Sequence, residues 1–331
     1  MREPSFWWTK PGLASRLLGP IAAGYGAVAA WRLGQAGERV NIPVFCIGNF
    51  TLGGAGKTPT AIAVAQLLAA AGERPFFLSR GYGGRLPGPL RVDPASHRAD
   101  DVGDEPLLLA RVAPAIVSHD RYSGATLAQA EGASIVVMDD GLQNPSLQKD
   151  LTIAVVDGRR GIGNGEVFPA GPLRAPLAAQ IERTDAVLLV GAPSTTDGLA
   201  DRFGGLPIFR ARLEPDPVTL NALAGRRVLA FAGIADPDKF FATLTAAGIA
   251  PHATRSFADH HHYTRGEANA LIAQATAQDL LLLTTEKDLV RLAGDPEGAA
   301  LAERARALPV RLVVEDEPAF RHLLLEKIGK A

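Results

Sequence analysis

Residues 44–58 have the sequence VFCIGNFTLGGAGKT, and this stretch decides how the rest of the chain folds. The apolar run Pro43–Ile47 predicts a strand, and the Ala/Leu-rich segment Pro59–Ala71 predicts a helix. A strand, a glycine-rich turn ending in Lys-Thr and a helix are the layout of a phosphate-binding P-loop. Thr51 replaces the first glycine of the usual G-x-x-x-x-G-K-[ST] pattern, so it is the flanking strand and helix that favour a P-loop over a glycine-rich turn with a chance Lys-Thr pair.

Each part of this loop has a physical task in holding a nucleotide. Glycines let backbone N–H groups turn toward an anion without Cβ clashes, and the following helix adds the positive end of its dipole. The Lys57 ammonium can reach the β- and γ-phosphates, and the Thr58 hydroxyl can bind Mg²⁺. We therefore predict a site for ATP and Mg²⁺ whose nucleotide-binding residues are Thr51, Gly53, Gly54, Ala55, Gly56, Lys57 and Thr58.

The composition is that of an ordinary globular protein, and the length allows two domains. Of 331 residues, 47% are hydrophobic and 21% are charged. The net charge of −1 gives no general attraction to nucleic acid, so we predict no nucleic-acid partner, and nothing indicates an obligate protein partner. The single cysteine, Cys46, fits a reducing compartment, and its place in an apolar strand favours a buried thiol over a nucleophile.

The first 40 residues differ from the rest in their aromatic and basic side chains. These are Phe6, Trp7, Trp8, Tyr25, Trp31, Arg2, Lys10, Arg16, Arg32 and Arg39. The apolar segment Leu17–Ala30 is too short, and too interrupted by Pro20 and glycines, to span a bilayer. We expect residues 1–40 to form an amphipathic segment lying in a membrane interface, with a helix packed on the protein's own core as the alternative. A signal peptide ending near Ala27–Ala29 is conceivable but disfavoured, because a P-loop needs ATP.

From residue 41 onward, strand patterns alternate with helix patterns, which predicts an α/β fold with helices on both faces of a parallel sheet. We expect a P-loop NTPase-like core with a doubly wound, mostly parallel sheet in residues 41–205. A second, smaller α/β domain is expected in residues 206–331, after the break at Gly204–Pro207. The predicted strands are Val44–Ile47, Pro75–Ser79, Ala115–Ser118, Ile135–Met138, Ile153–Val156, Ala186–Val190, Val228–Phe231, Leu280–Leu283 and Val310–Val314. The predicted helices are Pro59–Ala71, Glu105–Val112, Gly124–Glu131, Leu177–Arg183, Lys239–Ala247 and Thr264–Ala277.

Two adjacent carboxylates, Asp139 and Asp140, end the apolar strand that begins at Ile135. Ligands of doubly wound sheets bind at the carboxyl ends of strands, and an acid there is the expected partner of a P-loop in holding Mg²⁺. An Asp-Asp-Gly turn without a metal is the simpler alternative. The P-loop upstream favours a metal site formed by Thr58, Asp139 and Asp140, and the two carboxylates are equally good candidates.

Other polar residues at predicted strand or helix ends are weaker candidates. Asp104 precedes a helix and is either catalytic or simply an N-cap. Arg121 follows a strand and either steadies phosphate charge or pairs with the neighbouring Asp120. Among the three contiguous histidines His260–His262, zinc binding is disfavoured because zinc sites usually draw on separated positions. One histidine in an acid–base or orienting role is more plausible, and a polar loop without a role stays open.

Taken together, these stretches resemble the family of tetraacyldisaccharide 4′-kinases of lipid A biosynthesis. The matching residues run in family order from residue 48 to residue 288, and the aromatic, basic N-terminus also fits. Each match alone is weak, but the ordered set is specific, and Thr51 itself is usual for the P-loop of this family. The matching stretches are Gly48-Asn49, Gly53–Pro59, Leu78–Tyr82, Gly103–Pro106, Asp120–Tyr122, Asp139–Gln143, Gly163–Gly165, Phe168–Arg174, Asp259–His261 and Thr284–Asp288.

The resemblance implies transfer of the γ-phosphoryl group of ATP to the 4′-hydroxyl of a tetraacylated glucosamine disaccharide 1-phosphate, giving lipid IVA. It implies a peripheral or monotopic enzyme on the cytoplasmic face of the bacterial inner membrane, whose partners are the lipid disaccharide, ATP and the membrane surface. It also assigns Asp104 as the base toward the sugar hydroxyl, assisted by His260, with Lys57 and Arg121 as further catalytic residues. Candidate contacts to the substrate are Arg80, Asn164 and Arg174. Ala175 stands where the family often carries an acid, so no role carries over there.

Two rival classes remain. A nucleotide-switch protein is disfavoured, because Thr285–Asp288 does not supply the Asn-Lys-x-Asp pattern that a guanine site needs. A soluble small-molecule kinase or synthetase with the same core would leave the tryptophan-rich, basic N-terminus unexplained.

Overall fold

Two sheets organise the computed structural model of the protein, which describes residues 3–191 and 198–330. Within these residues one sheet has nine strands and the other has four. The strands, in chain order, are β1 (Val44–Gly48), β2 (Pro75–Ser79), β3 (Leu90–Arg91), β4 (Ala115–Val117), β5 (Ile135–Asp139), β6 (Leu151–Asp157), β7 (Ala186–Val190), β8 (Ile208–Pro215), β9 (Val228–Ala232), β10 (Ala253–Ser256), β11 (Leu281–Thr285), β12 (Ala305–Leu308) and β13 (Val310–Val314).

Helices connect most of these strands, as expected for parallel pairing. In chain order they are α1 (Leu13–Leu33), α2 (Lys57–Ala70), α3 (Ala99–Val102), α4 (Asp104–Leu109), α5 (Arg121–Ala130), α6 (Leu177–Ile181), α7 (Pro217–Leu223), α8 (Pro237–Ala246), α9 (Arg265–Ala277), α10 (Glu286–Gly294), α11 (Ala299–Ala302) and α12 (Glu317–Glu326). Short 3₁₀ turns cover Ser5–Trp8 and Ala200–Phe203.

The strand order of the larger sheet brings the P-loop and the first acidic residue together. Across the sheet the order is β13-β8-β7-β6-β1-β5-β2-β4-β3. Neighbours pair in parallel except for β13 with β8 and β3 with β4. Because β1 lies beside β5, with Ile47 in register with Asp139, the P-loop and the acidic turn leave the same edge of the sheet. The predicted doubly wound, mostly parallel α/β sheet is confirmed.

All five residues of β1 are buried, and its side chains alternate between two cores. Phe45 and Ile47 pack in one core with Leu68 of α2, whereas Cys46 packs in the other with Ala125 of α5. Helices therefore cover both faces of the sheet, which is why the strand reads as a continuous apolar run. Cys46 is a free buried thiol, as predicted, and burial raises its pKa to about 11.

The smaller sheet has the order β10-β9-β11-β12 and is parallel throughout. The flanking strands β8 and β13 lie C-terminal to residue 205, yet they belong to the larger sheet and pair with each other. The predicted division between residues 205 and 206 would assign these two strands to the smaller domain, whereas they pair within the larger sheet. We propose that the smaller unit spans residues 216–309, the segment between these two strands.

Helix α1 lies on the protein with one side and exposes the other. Ala22 and Gly26 are buried, and Gly26 faces Pro176 closely enough that an added Cβ would meet it at 3.5 Å. A stripe at helical spacing is exposed instead, and it consists of Leu13, Leu17, Ile21, Tyr25, Val28 and Trp31. We call these six residues the α1 apolar face. No helix in the described residues is long and apolar enough to cross a membrane.

The three tryptophans have different surroundings, although the sequence groups them together. Trp7 is buried and its indole N–H donates to the Pro169 carbonyl oxygen at 3.1 Å. Trp8 lies under the Arg160 guanidinium, 4.8 Å from the ring centroid. Trp31 alone of the three is exposed, so Trp7 anchors the segment to the protein and only Trp31 belongs to the exposed face. Arg2 lies outside the described residues.

Candidate active site

A cleft of about 1120 Å³ runs along the carboxyl edge of the larger sheet and reaches the smaller unit. The smaller unit contributes Asp236, Asp259 and His260 to its wall, and α1 contributes Tyr25 and Arg32. Most of the residues predicted for the site line this cleft, namely Gly53, Gly54, Gly56, Lys57, Thr58, Arg80, Arg121, Asp139, Asp140, Arg174 and His260. Asp104 contacts the site without lining the cleft, as described below.

The P-loop has the backbone that its glycines allow. Gly56 has φ +96° and is the N-cap of α2, so the helix begins at Lys57, two residues before the predicted start at Pro59. The Asn49 amide donates to the carbonyl oxygens of Thr51 and Gly53, at 2.7 and 3.1 Å, and accepts from the Lys57 ammonium at 3.3 Å. Asn49 thus holds both the loop and its lysine. Thr51 contributes its backbone to this scaffold and does not line the cleft, and neither does Ala55.

Asp139 lies next to Thr58, as a joint metal site requires. The Thr58 hydroxyl donates to Asp139 Oδ2 at 3.2 Å, and Asp139 Oδ1 is buried with no hydrogen-bond partner. Burial, followed by the negative charge of Glu105, raises the pKa of Asp139 to about 7. An unpaired buried carboxylate oxygen at this position fits a cation, because the cation would compensate the charge that burial disfavours.

Asp140, in contrast, is engaged by positively charged side chains. Both of its oxygens accept from Arg174, at 2.7 and 3.2 Å, and Lys57 lies 3.5 Å away. Burial alone would raise the pKa of Asp140, but the charges of Lys57 and Arg174 outweigh it and lower that pKa to about 2. Of the two acids ranked equally from the sequence, Asp139 is therefore the better candidate for a direct metal ligand. The backbone of Asp140 has φ +57°, a conformation that costs energy in a non-glycine residue.

Asp104 is buried and joins the larger sheet to the smaller unit. Its Oδ2 accepts from His260 Nδ1 at 3.2 Å and from Arg291 Nη2 at 2.5 Å. Burial alone would raise the pKa of Asp104, but the His260 hydrogen bond and the charges of Lys287 and Arg291 together hold it well below its usual range. An ionised Asp104 can only accept, so Nδ1 carries the hydrogen of the bond to His260.

His260 is the member of this pair that faces the cleft. Its side chain is about 30% exposed, whereas that of Asp104 is 3% exposed. The hydrogen bond with Asp104 raises the pKa of His260. His260 has φ +53°, so it is a second strained residue in the cleft, and its ring lies 5.3 Å from that of Tyr82. Strain of this kind persists where surrounding contacts fix the conformation, as the bond to Asp104 does here.

The other two histidines of the run have different partners. His261 Nε2 lies 3.0 Å from Glu267, and its ring stacks on Phe257 at 4.9 Å. His262 is exposed and lies 3.8 Å from Asp100. In the described residues no group of three or more His, Cys, Asp or Glu side chains is placed to hold a metal. The histidine run thus contributes one side chain to the cleft.

Arg121 is a buried cation at the start of α5 and lines the cleft. Its guanidinium donates to the backbone oxygens of Ser118 and His119, while its Nε is buried without a hydrogen-bond partner. Burial, followed by the nearby charge of Arg80, lowers the pKa of Arg121 to about 10. Asp120 caps the helix backbone instead of pairing with Arg121 through a short ion pair. A buried cation facing the cleft can bind an anion.

Asn164 lies outside the cleft. Its amide nitrogen donates to the Ala170 carbonyl oxygen at 2.9 Å, to Ser15 Oγ at 3.1 Å and to the Phe6 carbonyl oxygen at 3.3 Å. These contacts tie the N-terminal segment to the loop before α6. Asn164 therefore anchors the N-terminal segment, and the substrate contact predicted from the sequence stays a prediction.

Comparison with known proteins identifies the family. A family model described as tetraacyldisaccharide-1-P 4′-kinase matches residues 14–329. The chain belongs to this family. The tetraacyldisaccharide 4′-kinase of Rhodopseudomonas palustris (strain BisB5) is 54% identical across 100% of this chain and 98% of its own length. The enzyme of that name from Bradyrhizobium sp. (strain ORS 278) is 52% identical across 100% of this chain and 99% of its own.

A solved structure of a tetraacyldisaccharide 4′-kinase family member agrees with this fold. It is LpxK from Aquifex aeolicus, described as an "apo" form in complex with ATP, with a TM-score of 0.74 and 27% identity. The match covers 95% of this chain and 99% of that one. The predicted family and enzyme class are therefore confirmed: the protein is an ATP-dependent kinase of lipid A biosynthesis. The nucleotide-switch and soluble small-molecule kinase alternatives are set aside.

Several residues in the cleft wall or in contact with site residues were not predicted as site residues. Asn49 and Gln143 both lie in stretches that match the family. Asn49 accepts from Lys57 of the P-loop, and Gln143 accepts from Arg174. Glu105 and Lys287 form an ion pair between α4 and α10. Both residues lie in stretches that match the family, so the sequence alone could have suggested them as site residues. Arg291 lies outside every motif, and nothing in the sequence connects it to Asp104.

Proposed function

We propose that the cleft binds ATP at the P-loop and the lipid disaccharide beside it, so that the γ-phosphoryl group is transferred to the 4′-hydroxyl of the sugar. The observation that carries this proposal is the meeting of two groups at one cleft. Lys57, Thr58 and Asp139 form a phosphate end, and Asp104 with His260 forms a proton-acceptor pair. Phosphoryl transfer needs mainly positioning, charge stabilisation and one acceptor for the hydroxyl proton.

At the phosphate end, Lys57 and the loop N–H groups bind the phosphates. Thr58 and Asp139 would hold Mg²⁺, which supplies charge neutralisation to the phosphates when it is bound. The unpaired Oδ1 of Asp139 beside the Thr58 hydroxyl supports this assignment. Mg²⁺ is commonly bound by one or two carboxylates together with substrate phosphates, and Asp139 would supply such a carboxylate.

At the other end, the sugar hydroxyl loses its proton to the Asp104–His260 pair. The sequence resemblance makes Asp104 the base and His260 its assistant. The exposure of the two side chains supports a refined assignment, in which His260 Nε2 meets the substrate and Asp104 orients the imidazole and stabilises its charge. In either assignment the two residues act as a unit.

Three arginines supply positive charge along the same cleft. Arg174 holds Asp140 and the Thr51 carbonyl oxygen, so it shapes the P-loop as well as the cleft wall. Arg121 has a buried Nε without a partner, and Arg80 is exposed at the cleft wall. We assign Arg121 and Arg80 to contacts with phosphate or substrate groups.

The α1 apolar face docks the enzyme on the cytoplasmic side of the inner membrane, where ATP is available. Six large apolar side chains exposed at helical spacing form a surface of the kind that lies in a lipid interface. Tyr25 and Val28 of this face also line the cleft, which supports delivery of a lipid acceptor along α1.

One assay tests the function directly. The purified protein is incubated with labelled ATP and Mg²⁺, with the tetraacyldisaccharide 1-phosphate in one reaction and no acceptor in the other. Label in a lipid product, dependent on the acceptor and lost in Asp104→Asn, is the expected result. Hydrolysis of ATP that is indifferent to the lipid would contradict the proposal.

A further inference from the structure

Arg291 is a buried cation that the proposed chemistry does not yet use. It lies in α10 of the smaller unit, which packs against α3 and α4 of the larger one. Its side chain is only 5% exposed, and Nη2 donates to Asp104 Oδ2 at 2.5 Å. The two residues are 187 positions apart in the chain. The contact of Arg291 with Asp104 therefore depends on tertiary structure.

The other half of the Arg291 guanidinium is fixed by groups of the smaller unit. Nη1 donates to Asp288 Oδ1 at 3.0 Å and to the carbonyl oxygens of Gly233 and His261, both at 3.3 Å. His261 directly follows His260, so Arg291 contacts both the carboxylate and the backbone of the loop that carries the imidazole.

Asp288 is itself fully buried and fully engaged. It accepts from the Gly233 N–H at 3.0 Å, from the Tyr263 hydroxyl at 3.0 Å and from the Thr285 hydroxyl at 2.7 Å. With these partners Asp288 cannot move toward Arg291 or away from it without losing several buried hydrogen bonds. The guanidinium therefore presents a rigid donor to Asp104.

The contacts at Asp104 divide its two oxygens. Oδ2 accepts from both Arg291 and His260, whereas the Glu105 backbone N–H donates to Oδ1 at 2.9 Å. The charged groups that face Asp104 are Arg291 and Lys287 from α10, His260 from the smaller unit and Glu105 from its own helix. Without Arg291, the buried Asp104 carboxylate would have only His260 and Lys287 as cationic neighbours among these groups.

We propose that Arg291 is a positioning residue that holds the Asp104 carboxylate, and through it the His260 imidazole, in the geometry that accepts the substrate proton. This inference rests on the proposed role of the Asp104–His260 pair. It also makes the docking of α10 on α4 a condition for catalysis, because the pair is fixed only when both units are in contact.

The test compares Arg291→Met, which keeps the aliphatic part of the side chain, with Arg291→Lys. Lysine keeps the positive charge but lacks the two NH₂ groups of the guanidinium, which here contact Asp104 and Asp288. Arg306→Met, an exposed arginine of the same unit, is the matched control. We expect Arg291→Met to lower kcat on the order of 10²-fold without changing KM for ATP. Loss of the cation raises the proton affinity of the pair, so the acid limb of the kcat–pH profile should move up by about 1–3 pH units. Arg291→Lys should restore the position of the limb but only part of kcat.

The double variant Asp104→Asn/Arg291→Met separates positioning from general destabilisation. If Arg291 acts through Asp104, the double variant is no slower than Asp104→Asn alone. A further, multiplicative loss would overturn the inference, and so would a wild-type kcat in Arg291→Met or in Arg291→Lys. If Arg291→Met does not fold, the test uses Arg291→Lys and the double variant, in which position 104 carries an uncharged asparagine. Near-wild-type turnover in Asp104→Asn would instead remove the proposed role of the pair.

Discussion

At the phosphate end of the cleft, Thr58 lies at the start of the helix that follows β1, and Asp139 ends the neighbouring strand β5. At the other end, Asp104 of α4 meets His260 and Arg291, which belong to the smaller unit. The first arrangement follows from two short motifs and from the pairing of β1 with β5. The second depends on how the unit of residues 216–309 rests on the larger sheet. A local motif therefore fixes where phosphate is held, and long-range docking fixes where the proton goes.

The strongest test of this contrast is a double-mutant cycle on the proton-acceptor pair. Asp104→Asn and His260→Ala should each lower kcat by roughly 10²–10⁴-fold with little change in ATP affinity, because general-base assistance is lost. The double variant should be hardly slower than Asp104→Asn, since residues acting as a unit are not additive. His261→Ala is the control and should be mild. If the losses from Asp104→Asn and His260→Ala multiply in the double variant, or if His261→Ala lowers kcat more than His260→Ala does, the two residues do not act as a unit.

The phosphate end should respond strongly to a single substitution in the P-loop. Lys57→Ala should reduce turnover by about 10²–10³-fold, because a preorganised charge is removed from the transferring phosphates. Thermal unfolding should be little changed, as the lysine supports no core packing. Lys327→Ala, on the surface, serves as the control, and turnover close to wild type in Lys57→Ala would remove the P-loop from the mechanism.

Within the phosphate end, Asp139 and Asp140 should differ in how their substitution affects the Mg²⁺ dependence of the activity. Asp139→Asn should raise the Mg²⁺ concentration needed for half-maximal activity, because it weakens the unpaired oxygen beside Thr58. Asp140→Asn should slow turnover with a smaller effect on Mg²⁺ dependence, because its oxygens contact Arg174 and Lys57. Mg²⁺ titrations of the two variants measure this difference, and equal curves would contradict the separate roles.

The smallest expected effect concerns Leu17 of the α1 apolar face, which does not line the cleft. Leu17→Glu should lower binding to anionic lipid vesicles on the order of tenfold, since transfer of one leucine side chain from water is worth about 1.5–3 kcal/mol. ATP binding should stay the same. Val218→Glu replaces an equally exposed apolar residue on α7 and is the control. Equal binding of both variants would move the docking surface elsewhere.

The sequence could predict the parts of the site that depend on periodicity and short motifs. Lys57, Thr58 and Asp139 follow from a strand, a glycine-rich turn and an acid at the end of another strand. The pairing of Asp104 with His260 was predicted through the family resemblance, and the 3.2 Å contact agrees with it. Their roles in catalysis remain predictions.

Other features could not be predicted because tertiary contacts decide them. β8 is only partly buried and carries charged residues, so its place in the larger sheet follows from pairing with β7 and β13 instead of from an apolar run. Asn164 sits in a recognised stretch, but its contacts with Phe6 and Ser15 of the N-terminal segment could not be predicted from that stretch. Arg291 has an ordinary helical context, and only the docking of α10 on α4 brings it to Asp104.

The way residues 216–309 leave and rejoin the larger sheet has a mechanical consequence. Pro215, at the end of β8, is in register with Val310, at the start of β13, so the entry and exit points of the unit are neighbours on antiparallel strands. With two adjacent connections, rotation about the line that joins them is the motion we expect to be least restrained. That axis lies in the larger sheet, so we expect a single rotation to change the distances of His260 and Arg291 from Asp104 together.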